Sequence, residues 1–387
     1  MKKILFINGH LNTGGVEKAL LDVLKHMDYD RYEVDLLLLE DMGDYASELP
    51  TQVNVLFRDL KGTYGSLPKC LIRCLMRRDW FSLGMRLIFL AMKLMGQKQI
   101  KLAAKLLTGD KYYDCAVGFR PGICTQIAAF ACNADRRITW WHHGEIDVER
   151  MSYLEAANNC DAVAVVSDAC KKMLEEAFPA LKHKLTTIPN MLDADEVSMK
   201  ARTIDPYPDK DMLHIVSVGR LAAEKHFENA IYAAARLKER GIAFRWHLVG
   251  DGPAKEDLQK QAAEMNTADC FVFEGNQPNP YPYMKYADLF VHPSHVESFG
   301  IVVAEAMALH VPCVVTKSRG PCEFVEDGVN GILTEKSADA LADQVIGLLE
   351  NKEQYACIRR NTSCPKRFSP DCVRSLIDML WENRNEE

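Results

Sequence analysis

The chain reads as an α/β protein built from two doubly wound, Rossmann-like domains that face a central cleft. Three observations predict this. Short apolar runs alternate with helical patterns nearly throughout the sequence, which is the pattern of βαβ units and parallel sheets. The alternation occurs in two series, separated by Ala201-Arg202-Thr203-Ile204-Asp205-Pro206-Tyr207-Pro208-Asp209-Lys210, a polar stretch with two prolines that reads as a linker. The length, 387 residues, accommodates two domains of ordinary size. In open α/β sheets ligands sit outside the carboxyl ends of the strands, so the cleft is the expected active site.

In the first series, strands are predicted at Ile4–Asn8, Glu33–Leu39, Val53–Phe57, Cys115–Val117, Arg137–Trp141, Ala162–Val166 and Leu185–Ile188. Val16, Leu20, Val23, Leu24 and Met27 form an apolar stripe at helical spacing. In the second, Leu213–Val218, Phe244–Val249, Phe271–Phe273, Leu289–His292 and Cys313–Thr316 read as buried strands. Helices Glu228–Arg240, Lys255–Met265, Val302–Leu309 and Ala338–Leu349 separate them.

Composition narrows the function. Apolar residues make up 48% and charged residues 26%, the balance of a soluble globular protein and not of a disordered one. A net charge of −7 disfavours nucleic acid as a partner of the whole surface. Thirteen cysteines are scattered without a C-x-x-C pair, which points to reduced thiols in the cytoplasm and not to a disulfide framework or a zinc site. The first apolar run, Ile4 to Ile7, is shorter than the roughly 7–15 residues of a signal peptide, and no run reaches the roughly 18 of a membrane span.

One segment departs from the pattern. Lys69–Lys105 holds nine basic residues (Lys69, Arg73, Arg77, Arg78, Arg86, Lys93, Lys98, Lys101 and Lys105) against one acid, Asp79, a local charge of +8. Leucine, methionine, Trp80 and Phe81 are interleaved. Two readings stand: an amphipathic element that meets an anionic membrane surface, or a helical pair packed on the domain with solvated lysines.

Several constellations carry chemistry. After the run Leu289–His292 comes a polar loop, Pro293-Ser294-His295-Val296-Glu297-Ser298-Phe299-Gly300, and then an apolar helix containing Glu305. The open amides of a helix start attract anions and hydroxyl oxygens, and ionised carboxylates accept hydrogen bonds from sugar hydroxyls. Gly219-Arg220-Leu221-Ala222-Ala223-Glu224-Lys225-His226 follows a strand directly; Arg220 and Lys225 suit a diphosphate, or else form a surface cluster around Glu224. Gly250-Asp251-Gly252-Pro253 is a weak dinucleotide fingerprint and equally a tight turn with proline at the first helical position. Asn12-Thr13-Gly14-Gly15-Val16-Glu17 follows the first strand, and its adjacent glycines allow close backbone approach to a ligand. Thr139-Trp140-Trp141-His142-His143-Gly144 ends another strand; neighbouring histidines on extended chain point apart and make a poor metal pair. His10, His292 and His295 read as structural.

Glu297 and Glu305 in E-x7-E spacing, the G-R-L-x-x-x-K stretch with His226 in place of the usual glycine, G-x-G-P, Gly320-Pro321-Cys322-Glu323 and Asp327-Gly328-Val329-Asn330-Gly331-Ile332-Leu333 together resemble the retaining nucleotide-sugar glycosyltransferases of the GT-B fold (glycosyltransferase family 4-like, glycosyl transferases group 1). Pro189-Asn190-Met191-Leu192-Asp193 resembles that family's P-N-G-x-D with methionine for glycine; residues 61–109 match no motif. The resemblance implies an acceptor-side domain over residues 1–200, to which a last helix over about 370–387 crosses back, and a donor-binding domain over 211–369. It implies that Arg220 and Lys225 bind the donor diphosphate, that Glu305 holds the ribose, and that Glu297, Ser298, Phe299, Gly300 and Ile301 surround the transferred sugar. Gly14, Gly15, Gly250 and Gly252 would shape the donor pocket, and His142 or His143 would face the sugar. No metal or other cofactor is implied beyond the nucleotide sugar, UDP favoured. The acceptor would be a glycan or lipid-linked acceptor, as in bacterial surface polysaccharide synthesis, with the protein expected to be cytoplasmic or peripheral at the inner face of the cell membrane. A nucleotide-sugar epimerase of the same fold and a non-catalytic nucleotide-sugar-binding protein are the alternatives.

Overall fold

The computed structural model describes all residues except 64, 65, 110, 147, 210 and 383–387. The end of the expected linker, Lys210, and the end of the expected last helix therefore lie outside the described residues. The chain divides into two compact units, the first comprising Met1–Met191 and the segment from Pro370, the second Leu192–Ser369.

In the first unit the strands are β1 (Lys2–Asn8), β2 (Tyr32–Leu38), β3 (Val53–Phe57), β4 (Tyr112–Gly118), β5 (Asn133–Trp141), β6 (Ala162–Val165) and β7 (Leu185–Thr187). They form one sheet in the order β3-β2-β1-β4-β5-β6-β7, parallel at every pairing. Strands buried on both faces read as continuous apolar runs, as β1 and β2 do. The first helix, Gly15–Lys25, buries Leu20, Val23 and Leu24, and also Glu17 and Asp22; Val16 and Met27 are only half-buried.

The basic segment forms helices Leu67–Arg77 and Trp80–Met95, then 3-10 turns over Gln97–Ala103. Its one acid, Asp79, caps the second helix by accepting a hydrogen bond from the Ser82 amide at 2.9 Å. Met85, Ile88, Ile100 and Ala103 join the core with Leu5, Ile7 and Leu37, so the inner face of this helical pair is ordinary packing.

The C-terminal helix, Pro370–Glu382, buries Val373, Ile377, Leu380 and Trp381. Trp381 meets Phe6 and Tyr32 edge-on, with centroids 5.9 and 5.3 Å apart, and the Tyr32 hydroxyl donates to Asp378 at 2.9 Å. These contacts tie the end of the chain to the first sheet.

The second unit contains β8 (Leu213–Val218), β9 (Phe244–Val249), β10 (Phe271–Gly275), β11 (Leu289–His292), β12 (Cys313–Thr316) and β13 (Ile332–Thr334). Their order is β10-β9-β8-β11-β12-β13, again all parallel. The buried Trp246 ring donates from Nε1 to Ser217 Oγ at 3.1 Å, and Ser217 donates to the Val291 carbonyl at 2.6 Å, which links the three central strands through side chains. Strand β13, three residues long, is not among the predicted strands.

The chain passes between the units at Met191 and Leu192, before the stretch expected as the linker. Residues 201–209 lie in the second unit, where Tyr207 is buried, stacks on His214 with centroids 4.2 Å apart, and donates from its hydroxyl to the Tyr283 carbonyl at 2.6 Å. The prolines there frame an anchored strap and not a free tether. No helix among the described residues is long and apolar enough to cross a membrane. Trp246→Ala is expected to destabilise the second unit by about 3–5 kcal/mol; urea unfolding measures it, and a change below about 1 kcal/mol would count against the packing described.

Candidate active site

Strand order reverses between β8 and β11, and the loops leaving their carboxyl ends diverge. Such a switch point is where open α/β sheets hold ligands. Three loops meet there: 219–226 after β8, 250–254 after β9 and 293–300 after β11.

Two glycines let the first two loops touch. A β-carbon at Gly250 (φ +143°) would lie 1.9 Å from the Gly219 carbonyl oxygen, and one at Gly252 (φ +159°) 2.4 Å from that of Leu221. Both obstacles are backbone, so no side-chain movement relieves them. The following helix, Lys255–Glu264, has Ala254 as its cap; Pro253 therefore precedes the helix and does not occupy its first position. Gly250→Ala is expected to lower both the melting temperature and nucleotide affinity, measured by calorimetry, because the β8 loop must move.

Lys225 and Glu297 are brought together. Lys225 Nζ donates to Glu297 Oε1 at 2.5 Å, and His292 Nε2 donates to the same oxygen at 2.7 Å. Burial alone would raise the Glu297 pKa; the Lys225 charge and the His292 hydrogen bond outweigh it and hold the group well below the usual carboxylate range. Glu297 is thus a fixed anion. Arg220 is exposed and forms no salt bridge among the described residues, so its guanidinium faces solvent.

Glu305 is buried in helix Ile301–Ala308 and accepts a hydrogen bond from the Tyr281 hydroxyl at 2.8 Å. Gly300 sits at the start of that helix with φ +85°, and no side chain caps the first turn. Ser298 and Ile301 are half-buried. The Phe299 ring packs against Phe324 and Phe368, so only its backbone is free to serve a ligand. Asp327 Oδ1 accepts from the Leu333 amide at 2.9 Å and Asn330 Oδ1 from that of Glu326 at 2.7 Å, which fixes the turn that delivers β13.

In the first unit, Gly14 and Gly15 lead into the helix whose first turn carries Glu17. Glu17 Oε1 is 3.3 Å from Arg120 Nη1, and the same nitrogen donates to His10 Nε2 at 2.8 Å. His142 is buried between neighbours Phe119 and Trp140. Desolvation, then the nearby His143 and Arg120, lower its pKa from 6.5 to about 3, with only a Phe119 backbone hydrogen bond opposing. Its Nε2 has no protein partner among the described residues. His143 is half-buried, with its carbonyl accepting from Trp141 Nε1 at 2.7 Å.

The second unit therefore gathers Arg220, Lys225, Gly250, Gly252, Glu297, Ser298, Phe299 and Gly300 on loops at one switch point, with Ile301 opening the helix that follows. Gly14, Gly15, His142 and His143 belong to the first unit. Sequence reasoning missed the roles of four residues. His292, read as structural, holds Glu297. Arg120, two residues past β4, meets Glu17 of the first helix; Glu17 closes the Asn12–Glu17 stretch but was given no role there, and Arg120 left no signal. Tyr281, the partner of Glu305, left no signal.

Comparison with known proteins decides the class of the second unit: the family profile described as Glycosyl transferases group 1 matches residues 205–363. Those residues are a glycosyl transferases group 1 domain. The chain is 32% identical over 206 residues to the alpha-D-kanosaminyltransferase of Streptomyces kanamyceticus, covering 51% of this chain and 53% of that enzyme. The match thus spans about half the relative's length. The putative glycosyltransferase EpsF of Bacillus subtilis is 24% identical over 87% of this chain and 84% of its own. Among solved structures, Anabaena HepE in complex with UDP-glucose superposes with a TM-score of 0.73 at 21% identity, covering 98% of this chain and 99% of that one. The fold is that of the GT-B glycosyltransferases.

A buried histidine with a depressed pKa makes the unfolded chain the stronger proton binder between pH 6.5 and about 3, so stability falls as pH falls through that window. His142→Phe is expected to flatten the acid side of the melting-temperature profile; an unchanged slope would remove His142 from the account.

Proposed function

We propose that the protein is a retaining, metal-independent glycosyltransferase. It moves a sugar from a nucleoside diphosphate sugar, UDP favoured, to a glycan or lipid-linked acceptor in surface polysaccharide synthesis. The observation that carries this reading is the placing of Arg220 and Lys225 on the β8 loop at the switch point, with Lys225 held by Glu297 at 2.5 Å. The bond from the sugar's anomeric carbon to the diphosphate breaks, and the bond to the acceptor oxygen forms on the same face. The acceptor's proton passes to the leaving phosphate. Arg220 and Lys225 stabilise the charge that develops there. Glu305, steadied by Tyr281, holds the ribose hydroxyls. Glu297 sits beside the sugar as an ion-paired acceptor and not as the nucleophile. Either His142 or His143 faces the sugar hydroxyls.

HepE with UDP-glucose supports the uridine choice. An epimerase needs a general acid and base facing the sugar, and a carboxylate locked as an anion is a poor acid; relatives named as transferases favour transfer. Intact Arg220, Lys225 and Glu305 speak against a protein that only binds.

Contact with an anionic membrane surface is part of the same proposal. Along helix Trp80–Met95, Trp80, Leu87 and Leu94 recur every seven residues and are 63%, 52% and 73% exposed. Ile72, Leu75 and Met76 on helix Leu67–Arg77 are exposed as well. An outward apolar stripe among nine bases, whose one acid is spent on a helix cap, suits insertion at a negatively charged lipid interface.

Lys225→Ala is expected to lower kcat about a hundredfold; unchanged turnover would end the role given to it. A thermal-shift panel of nucleoside diphosphates and their sugars, with and without EDTA, tests the donor by mass action, and stabilisation that vanishes with EDTA would overturn metal independence. For the membrane, flotation with phosphatidylglycerol vesicles at low salt is expected to carry the protein up. Replacing Trp80, Leu87 and Leu94 with serine should abolish it, and equal flotation of the triple variant would refute the stripe.

A further inference from the structure

His226 occupies a position that carries glycine in the glycosyltransferases the motif resembles, and its backbone keeps the glycine-like shape at φ +49° and ψ +42°. A residue with a β-carbon is disfavoured there, so its side chain must be held by something. The ring lies on that of His295, with centroids 3.5 Å apart and planes 25° from parallel. His226 Nδ1 donates to Glu228 Oε1 at 2.7 Å. His295 Nε2 accepts from Asn229 Nδ2 at 3.4 Å. On the other side of Lys225, the Glu224 carbonyl accepts from the His295 amide at 3.3 Å and from Ser294 Oγ at 3.2 Å.

The Lys225–Glu297 pair is thus flanked on both sides. The residue before Lys225 is bonded to residues 294 and 295, and the residue after it is stacked on residue 295. We propose that His226 and His295 are positioning residues, a stacked clamp that fastens the β8 loop to the β11 loop and so sets Lys225 against Glu297. The idea rests on the glycosyltransferase reading for its consequence, but not for its geometry.

The choice of two imidazoles gives the clamp a pH dependence. The charged and titratable groups around it are Glu224 and Lys225 on its own turn, Glu228 on the following helix, His292 at the end of β11, Glu297 on the loop after it, and Lys336 beyond β13. Burial, then the charges of His226 and Lys336, hold His295 below the ordinary histidine range, with Glu228 acting in the opposite sense. The acceptor role of its Nε2 toward Asn229 also requires an unprotonated nitrogen. As pH falls, protonation of His295 removes that hydrogen bond and places a charged ring in the contact. The clamp holds on the neutral side and opens on the acid side.

The test is amine labelling of Lys225 in the full chain, read by mass spectrometry, beside calorimetric binding of UDP. Free of the clamp, Lys225 is expected to react about fivefold faster in His295→Ala and in His226→Gly, whose backbone strain is relieved so that folding is not at issue. His295→Phe keeps a ring to stack on and is expected to restore protection while removing its decline at acid pH. Equal labelling of Lys225 in wild type, His295→Ala and His226→Gly would overturn the clamp even if UDP binds normally. Altered labelling in a protein that binds no nucleoside diphosphate would leave the clamp standing and sink the donor reading instead.

Discussion

The structure of the candidate site depends on one carboxylate oxygen. Glu297 Oε1 accepts from Lys225 and from His292 at once, joining the loop after β8 to the end of β11 and the loop beyond it. Those two strands are neighbours whose connections diverge, so nothing in the sheet itself would hold their loops together. A buried anion without partners would be strongly unfavourable; with a cation and an imidazole on one oxygen it becomes a fixed charge around which the loops arrange.

Under the proposed function, that arrangement also sets which cation would meet a donor first. Lys225 is already committed to Glu297, whereas Arg220 is exposed with no salt bridge among the described residues. Under the proposed function, a diphosphate arriving at the switch point would meet the planar fork of Arg220 without breaking a contact, and would then share Lys225 with Glu297. Sharing spreads the lysine's charge between a permanent anion and a transient one. In the proposed reaction, the extra negative charge developing on the leaving phosphate would shift that balance toward the phosphate, so the lysine interaction would strengthen where charge appears. That is the differential binding catalysis requires.

Much of this was legible in the sequence, because apolar runs bounded by glycine report parallel strands directly. Five strands of the second unit's sheet were foreseen, four of them to the residue, and the loops carrying Arg220, Lys225 and Glu297 fell where strand ends placed them. What was not legible depended on contacts distant in sequence. β13 has three residues, too few for a periodic pattern, and exists because Asp327 and Asn330 shape the turn before it. The prolines at 206 and 208 resemble a linker, yet Tyr207 between them is buried; one aromatic anchor reverses the reading and no local signal marks it. His292 was dismissed because a lone histidine ending a strand is usually packing, and its bond to Glu297 becomes visible only when the loop folds back.

The two units solve the same problem differently. In the second, the fixed anion is matched by a lysine from a neighbouring loop, and a second cation is left exposed. In the first, Glu17 is matched by Arg120 and His10, while the buried His142 is kept uncharged by its surroundings. A site that must bind a charged diphosphate benefits from surplus positive charge; one that must meet neutral hydroxyls benefits from balanced charge and open hydrogen-bonding atoms, because surplus charge would attract the wrong ligand. At the strand ends the first unit has that balance, with Glu17 and Arg120 paired and the buried His142 Nε2 without a protein partner among the described residues. The division of donor and acceptor chemistry proposed here thus follows from how each sheet's strand-end loops dispose of their charges.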